Sequence, residues 1–345
     1  MVTRVAVTGA AGVLGSHLVE RLVRDGYEVR AFDLRPVPER PGLTSSTGDI
    51  RDPRALAPAF GGADAVVHCA SALPSYPAAD IRSIVVEGTT TVLEAARAAA
   101  VTRVVHISST AVYGLPRLVP TPEEHPHEPV DTYSGAKAAA EVVAQRFRDE
   151  GMCLPVLRPK TFLGPGRMGL FDMLFQWAEE GRNFPVLGKG DVRIQMLALD
   201  DLVDAVVTVL RAPESIACDT YNIGAADFGT LRTDFQAVLD AAGHGKRIVS
   251  VPSGPAVAVL KGLERTRLSP VYGRLVHKLL ADSFVSVDKA RDRLGFWPRR
   301  SNRDAILQTY EWWRARRADA PAAGGGRTSR DPWRQGVLGL AKVFF

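Results

Sequence analysis

The opening of this 345-residue chain narrows its possible folds more than any other feature. A short β-branched run, Arg4-Val5-Ala6-Val7-Thr8, passes directly into Gly9-Ala10-Ala11-Gly12-Val13-Leu14-Gly15, and a helical pattern continues over residues 12–25. Glycines spaced three apart allow a tight turn, and they let backbone N–H groups approach a pyrophosphate at the positive end of a helix. Three glycines alone are weak evidence, but the strand-turn-helix setting is the context a dinucleotide site requires. The next expected strand, residues 28–33, ends on Asp33, where a carboxylate can accept both ribose hydroxyls and would repel a 2′-phosphate. NAD is the cofactor expected from this pattern, and Arg35 keeps NADP as the alternative.

Behind this opening the first half alternates short apolar runs with longer Ala/Leu/Arg stretches. Strands are expected at residues 4–8, 28–33, 65–69, 103–108 and 153–158, and helices at 12–25, 84–100 and 133–150. Such alternation predicts an α/β fold, a doubly wound parallel sheet of the Rossmann type, with ligands at the carboxyl ends of the strands. Beyond residue 160 the texture changes to Gly/Pro-punctuated segments, followed by a helix at 200–211. We therefore expect a nucleotide-binding domain over residues 1–160 with later segments interleaved, and a smaller C-terminal substrate-binding lobe over 161–317. Residues 318–345 are expected to form an Ala/Gly-rich linker and an apolar, basic tail.

Composition excludes several classes. Hydrophobic residues make up 46% and charged residues 23%, which fits a globular chain with a sizeable core rather than a disordered one. The net charge of +5 comes from the end of the chain: residues 289–345 carry +8 and residues 1–288 carry −3. A slightly acidic body gives no reason to expect a nucleic-acid partner. Three scattered cysteines, Cys69, Cys153 and Cys218, imply neither a disulfide framework nor a metal site. The first residues lack a signal-peptide pattern and no stretch approaches a membrane span, so a cytoplasmic location is expected.

The chemistry is expected at Tyr133-Ser134-Gly135-Ala136-Lys137, where a phenol and an ammonium fall on one face of a helix. With seven tyrosines and eight lysines in the chain, that spacing persuades only in context. The context is Ser108-Ser109-Thr110, at the carboxyl end of an expected strand. Lys137 can stabilise a phenolate, so that Tyr133 takes a proton from a substrate hydroxyl while Ser109 hydrogen-bonds the oxygen where charge develops.

Taken together these residues resemble the extended short-chain dehydrogenase/reductases, in particular the NAD-dependent epimerase/dehydratase group that includes UDP-galactose 4-epimerase. The resemblance covers roughly residues 3–315. It rests on residues 8–15, Asp33, Gly48-Asp49, residues 108–114, Tyr133 with Lys137, Arg158-Pro159, Gly164-Pro165-Gly166, Asp200-Asp201-Leu202 and residues 294–298. It implies Ser109, Tyr133 and Lys137 as the catalytic set, a structural role for Tyr113, and a homodimer paired through the helices at 84–100 and 133–150. The expected cofactor contacts are Gly9, Ala11, Gly12, Val13, Leu14, Gly15, Asp33, Leu34, Asp49, Ile50, Cys69, Ala70, Ser71, Ser108, Tyr133, Lys137 and Pro159. The expected substrate contacts are Ser71, Ser109, Thr110, Tyr133, Lys160, Thr161 and Arg193.

Two departures from the group's pattern carry information. Members that dehydrate sugars have an Asp-Glu pair after the catalytic Ser/Thr, whereas Thr110-Ala111 follows Ser109 here, which disfavours elimination of water. Where nucleotide-sugar enzymes have Asn three residues after the Arg158 position, this chain has Thr161, preceded by Lys160. Lys160 and Arg193 could hold a diphosphate as point charge and fork. The first expectation is an NAD-dependent epimerase of a sugar, nucleotide-linked, that oxidises to a keto intermediate and reduces it again. The alternatives are a dehydrogenase or ketoreductase of a non-nucleotide secondary alcohol, such as a steroid-like or natural-product intermediate, and a nucleotide-sensing module without chemistry.

Remaining features are read as structural. The run Glu123-Glu124-His125-Pro126-His127-Glu128 is expected to be a solvated rim of the site, and His17, His68 and His106 to be satisfied core histidines. Residues 256–280 are expected to form an amphipathic lid on the substrate lobe.

Overall fold

The computed structural model describes residues 2–167, 171–254 and 279–317. The expected lid, apart from its last two residues, and the linker with its apolar tail lie outside these residues. The first strand, β1 (Arg4–Thr8), is followed by α1 (Val13–Arg24), β2 (Glu28–Asp33), β3 (Leu43–Thr47), α2 (Pro53–Phe60) and β4 (Ala65–His68). Then come α3 (Ala78–Arg82), a π-helical turn at Ser83–Glu87, α4 (Gly88–Ala98), β5 (Arg103–Ile107), a 3₁₀ turn at Thr110–Tyr113, α5 (Thr132–Asp149) and β6 (Val156–Pro159). The helix expected at 84–100 thus starts earlier, at Ala78, and passes through the π turn. A Cβ on Gly88 would lie 2.6 Å from Ile50 Cδ1, so a side chain there would have to displace the Ile50 side chain that the helix crosses.

Later segments interleave. The short β7 (Phe162–Leu163) pairs in parallel with β9 (Leu197–Ala198), and α6 (Phe171–Glu179) and β8 (Phe184–Leu187) lie between them. Next are α7 (Leu199–Arg211), α8 (Glu214–Ala217), β10 (Thr220–Ile223), α9 (Leu231–Ala242) and β11 (Ile248–Val251). The described chain closes with α10 (Asp288–Leu294) and α11 (Asn302–Arg316).

Seven parallel strands form the main sheet in the order β10-β6-β5-β4-β1-β2-β3. The chain leaves β1 toward β2 and returns past it to β4, so the order reverses at β1 and a crevice opens above its carboxyl end. The strands read as continuous apolar runs because helices cover both faces. One core packs α1 and α7 on the sheet through Leu18, Leu22, Val203 and Val206. Another packs α2, α4 and α5 on the other side through Leu56, Phe60, Leu93 and Phe147. A separate cluster, including Phe175, Trp177, Phe184, Phe235, Tyr310 and Trp313, gathers α6, β8, α9 and α11 into the smaller lobe.

Two histidines lie within the main sheet. His68 and His106 face one another from β4 and β5, with ring centroids 5.5 Å apart. His68 is bonded as a core histidine should be: Nδ1 lies 2.7 Å from Thr8 Oγ1 and Nε2 3.1 Å from Thr89 Oγ1. His106 is not, since both its ring nitrogens are buried without a partner, which corrects the expectation of a satisfied side chain. Burial, and then the nearby Lys137 charge, push its pKa from 6.5 down to about 3. As pH falls below about 6.5 the unfolded chain takes up a proton that the folded chain refuses until about pH 3, so stability declines across that window. His106→Leu, which removes an unbonded polar group, is expected to melt near the wild-type temperature at pH 7.5 and to lose less on acidification to pH 4.5. Equal acid losses in the two proteins would rule out His106 as the cause.

Candidate active site

Every expected site residue but Arg193 falls in or beside segments at the carboxyl ends of β1, β2, β3, β4, β5 and β6, or in the N-terminal half of α5. The glycine turn is pressed between neighbours. Gly9 takes φ +71°, and a Cβ there would sit 2.6 Å from Ala70 N; a Cβ on Gly15 would sit 2.1 Å from Gly9 O. No side chain caps α1, and its first turn carries no acid, which suits the approach of an anion to Val13, Leu14 and Gly15. Asp33 lies at the rim, where its Oδ2 accepts from Ala11 N at 3.0 Å and Oδ1 from Arg35 N at 3.1 Å. Arg35 Nη2 in turn donates to Ala11 O at 2.8 Å. Leu34 is 71% exposed beside them, an open apolar face suited to a purine.

Around the crevice, Ile50 is buried and Asp49 pairs with Arg51. That pair lowers the Asp49 pKa, chiefly through the hydrogen bond from Arg51. Cys69 and Ala70 are half-buried and Ser71 is exposed. Burial pushes the Cys69 thiol up to about 12, so it holds its proton and acts as a small apolar group. The donor set, a glycine cradle with a carboxylate on the ribose side, fits a dinucleotide.

The reacting groups come from two elements. Ser109 precedes the 3₁₀ turn, and its Oγ accepts from Ala111 N at 3.1 Å, which fixes the hydroxyl at the strand end. Thr110 is buried, with Oγ1 donating to Pro159 O at 3.3 Å, so it holds the turn against β6. Helix α5 begins with a capping box: Asp131 accepts from Ser134 N at 2.7 Å, and Ser134 Oγ accepts from Asp131 N at 3.0 Å. The helix therefore starts at a defined residue, which places Tyr133 in its first turn and Lys137 one turn on. Tyr133 is half-buried against a small cluster that includes Ala72, Ile81 and Ala136. Lys137 is 3% exposed, and its Nζ donates to Ile107 O at 3.0 Å. Burial lowers its pKa to about 8, against a smaller upward pull from Glu141.

Sequence reasoning missed what fastens this helix. Glu141, one turn beyond Lys137, accepts from Arg158 Nε at 3.0 Å and Nη2 at 2.6 Å, and from Ser108 Oγ. Arg158 also donates to Tyr113 OH at 2.7 Å and Glu123 O at 2.8 Å, and Tyr113 OH donates to Asn222 Oδ1 at 2.8 Å. Burial alone would raise the Glu141 pKa, but bonds from His127, Arg158 and Ser108 outweigh it and bring the carboxyl to about 2. His127 Nε2 lies 2.8 Å from Arg158 Nη2 and 3.2 Å from Glu141 Oε2. Glu123 is 9% exposed and accepts from Asn222 N. The expected solvated rim is borne out at Glu124, Pro126 and Glu128, which are exposed, but Glu123 is buried and His127 half-buried, both bonded into the site, because Arg158 has more donors than Glu141 can satisfy. A signal was present: a carboxylate on a buried helix face and an arginine inside an apolar strand each need a partner.

The expected substrate contacts separate. Lys160 is 7% exposed, and its Nζ donates to Ser283 O and Ser283 Oγ, both at 3.0 Å. Thr161 is exposed. Arg193 is exposed on the smaller lobe, stacked on Phe228 and Phe284 at 4.8 and 5.0 Å.

A family model described as "NAD dependent epimerase/dehydratase family" matches residues 5–224. A protein of Sinorhizobium fredii named "Uncharacterized protein y4nG" is 35% identical, covering 97% of this chain and 84% of its own. A Mycobacterium tuberculosis 3 beta-hydroxysteroid dehydrogenase/Delta 5-->4-isomerase is 29% identical over 90% of both chains. A UDP-glucose 4-epimerase of Mycolicibacterium smegmatis is 28% identical over 90% of this chain and 98% of its own. Among solved structures, the dTDP-glucose 4,6-dehydratase DesIV of Streptomyces venezuelae with NAD and TYD bound is 27% identical. It has a TM-score of 0.73 and the match covers 92% of this chain and 98% of that one.

The buried pair gives a direct test. Glu141→Gln leaves the Arg158 charge uncompensated and is expected to cost about 3–5 kcal/mol in urea unfolding. It should also remove the part of the acid sensitivity that Glu141 adds between about pH 4.5 and pH 2, because a depressed carboxyl stabilises above its ordinary pKa and ceases to do so as it protonates. A loss below about 1 kcal/mol would show that the pair does not fasten α5.

Proposed function

The chain belongs to the NAD dependent epimerase/dehydratase family, and from that premise we propose that it is an epimerase of a sugar, carried on a nucleoside diphosphate. The observation that carries this reading is that Ser109 and Lys137 meet at the carboxyl end of β5, Ser109 at the turn that follows it and Lys137 Nζ on Ile107 O, with Tyr133 one turn earlier on the same helix as Lys137. The glycine turn with Val13, Leu14 and Gly15 would hold the pyrophosphate, Asp33 the ribose, and Leu34, Asp49 and Ile50 the adenine edge. Cys69, Ala70, Ser71, Ser108 and Pro159 would flank the nicotinamide. NAD held by these residues would supply a reversible hydride acceptor beside the secondary alcohol.

The chain's own residues handle the proton. Tyr133, as phenolate, takes it from the secondary hydroxyl and gives it back on reduction, while Ser109 Oγ donates to the oxygen as charge develops. Lys137, with its contact to Ile107 O, supplies positive charge behind the phenol. Elimination of water is disfavoured, because Thr110 is bonded to Pro159 O and position 111 is alanine, where sugar dehydratases of the group carry an Asp-Glu pair. Epimerisation needs neither.

A second reading is net oxidation of a non-nucleotide secondary alcohol. Two observations favour it: Lys160 is bonded to Ser283, and the steroid dehydrogenase from Mycobacterium tuberculosis matches over most of both chains. The alternatives separate on the purified protein. An epimerase interconverts UDP-glucose and UDP-galactose, or another epimer pair, without added cofactor, whereas NADH accumulating in step with product would exclude it.

A second copy would pack on the outward face of α4 and α5, where Val142 is 67% exposed. Sedimentation equilibrium is expected to give twice the 37.2 kDa chain mass, and a monomer at micromolar concentration would discard this pairing. Among the described residues, no helix is long and apolar enough to cross a membrane. Tyr133→Phe is expected to lower turnover by about two to four orders of magnitude with NADH affinity near wild type. Wild-type turnover in that variant would refute the assignment.

A further inference from the structure

One short stretch of chain bridges the smaller lobe and the rim of the site, and a buried ammonium holds it in place. Residues 282–286 form a strap that is bonded along both edges. On one edge Ser283 N donates to Arg193 O at 2.9 Å and Gln195 N to Ser283 O at 3.0 Å, which ties the strap to the smaller lobe. On the other, Thr121 N donates to Phe284 O and Ser286 N to Thr121 O, both at 3.0 Å, which ties it to the loop that carries Glu123 and His127. Gln195, 1% exposed, acts as a clamp: its Oε1 accepts from Val285 N at 2.9 Å and its Nε2 donates to Ala225 O at 2.7 Å.

Lys160 reaches this strap from the main sheet. It directly follows β6, and its backbone N–H continues the ladder by donating to Ile223 O at 2.8 Å. Pro159 O, one residue earlier, accepts from Thr110 Oγ1, so the same stretch is fastened to the turn that carries Ser109. The lysine side chain is 7% exposed, and its Nζ donates to Ser283 O and Ser283 Oγ, each at 3.0 Å. A continuous line of bonds thus runs from the Ser109 turn through positions 159 and 160 to the strap, and on to Arg193 and Gln195. Hydrocarbon of the same length would fill the space at less cost, so what the charged head adds is a fixed place for Ser283.

We propose that Lys160 is a positioning residue for the reaction: bonded to Ser283 from the end of β6, it sets the smaller lobe at one distance from Ser109 and Tyr133. The proposal rests on the function proposed above, with the smaller lobe taking the part of the substrate remote from the reacting carbon. A misplacement of about 1 Å between the two can cost about a hundredfold in rate. Lys160 acts through the strap, and it neither gains nor loses a proton in the reaction.

The test compares K160M, S283A, S283T and the K160M/S283A double variant, all loaded with NAD. Turnover is followed as epimer interconversion, or as NADH formation where the second reading of the function holds. K160M is expected to lower kcat about tenfold to a hundredfold with KM within about threefold of the wild type. S283A removes one of two acceptors and should cost less. S283T, which keeps the hydroxyl, should match the wild type, and S283A should cost nothing further in the K160M background. Hydrogen exchange of the Thr121, Ser283 and Ser286 amides should quicken about tenfold in K160M, with the amides of β1 and β4 unmoved. Additive losses, unmoved strap amides, or a raised KM at unchanged kcat, the mark of a residue that binds substrate directly, would overturn the proposal. If K160M does not fold, S283A slowed beside S283T at the wild-type rate carries the proposal, and equal rates overturn it. Tyr133→Phe reports separately on the acid–base assignment: its loss of turnover, beside a K160M of wild-type kcat, removes Lys160 alone.

Discussion

Helix α5 lies on the sheet through a face that is partly charged, and the Glu141–Arg158 pair is what allows it to do so. The two side chains are 6% and 7% exposed, so each would be an intolerable lone charge without the other. Replacing such a pair by hydrocarbon could leave the fold as stable or more so, and its contribution lies in register. Glu141 also takes the Ser108 hydroxyl, and Lys137 reaches Ile107 O, so the two residues of the strand end just before Ser109 have their places fixed relative to one helix. The apolar contacts of α5 would tolerate a small slide along its axis; the charged ones would not.

Where chain geometry alone determines structure, the sequence was legible. The strands at Arg4–Thr8 and Glu28–Asp33 have the limits that their apolar runs and bounding turns predict, and α1 and α5 begin within a residue of theirs. The reading was poorer where pairing overrides pattern. The fifth run was expected from Cys153, yet regular pairing begins at Val156 and includes Pro159, because the neighbour β10 comes from a segment some sixty residues later. The early start of the helix before α4 was hidden because a π turn breaks the helical period.

At the site, the motif residues could be read because each type is tied to a spacing, as with Tyr133 and Lys137. Arg158 and Glu141 lie seventeen residues apart on different elements, and nothing local joins them. His127 was read as solvated because its neighbours are polar. Only the unspent donors of Arg158 explain why that loop turns inward. His106 shows the reverse error: a core position was expected to provide partners, and this one does not.

The same ionic arrangement bears on how the pocket is charged. Glu141, near 2, stays ionised at any pH at which the protein works, and Arg158 balances it, so that pair presents an almost constant field to the crevice. Lys137 is different, since burial brings it to about 8 and its charge varies within the working range. Relieving that burial by opening the site to water would hold the ammonium charged, but it would also weaken every interaction with the phenol in proportion to the higher dielectric.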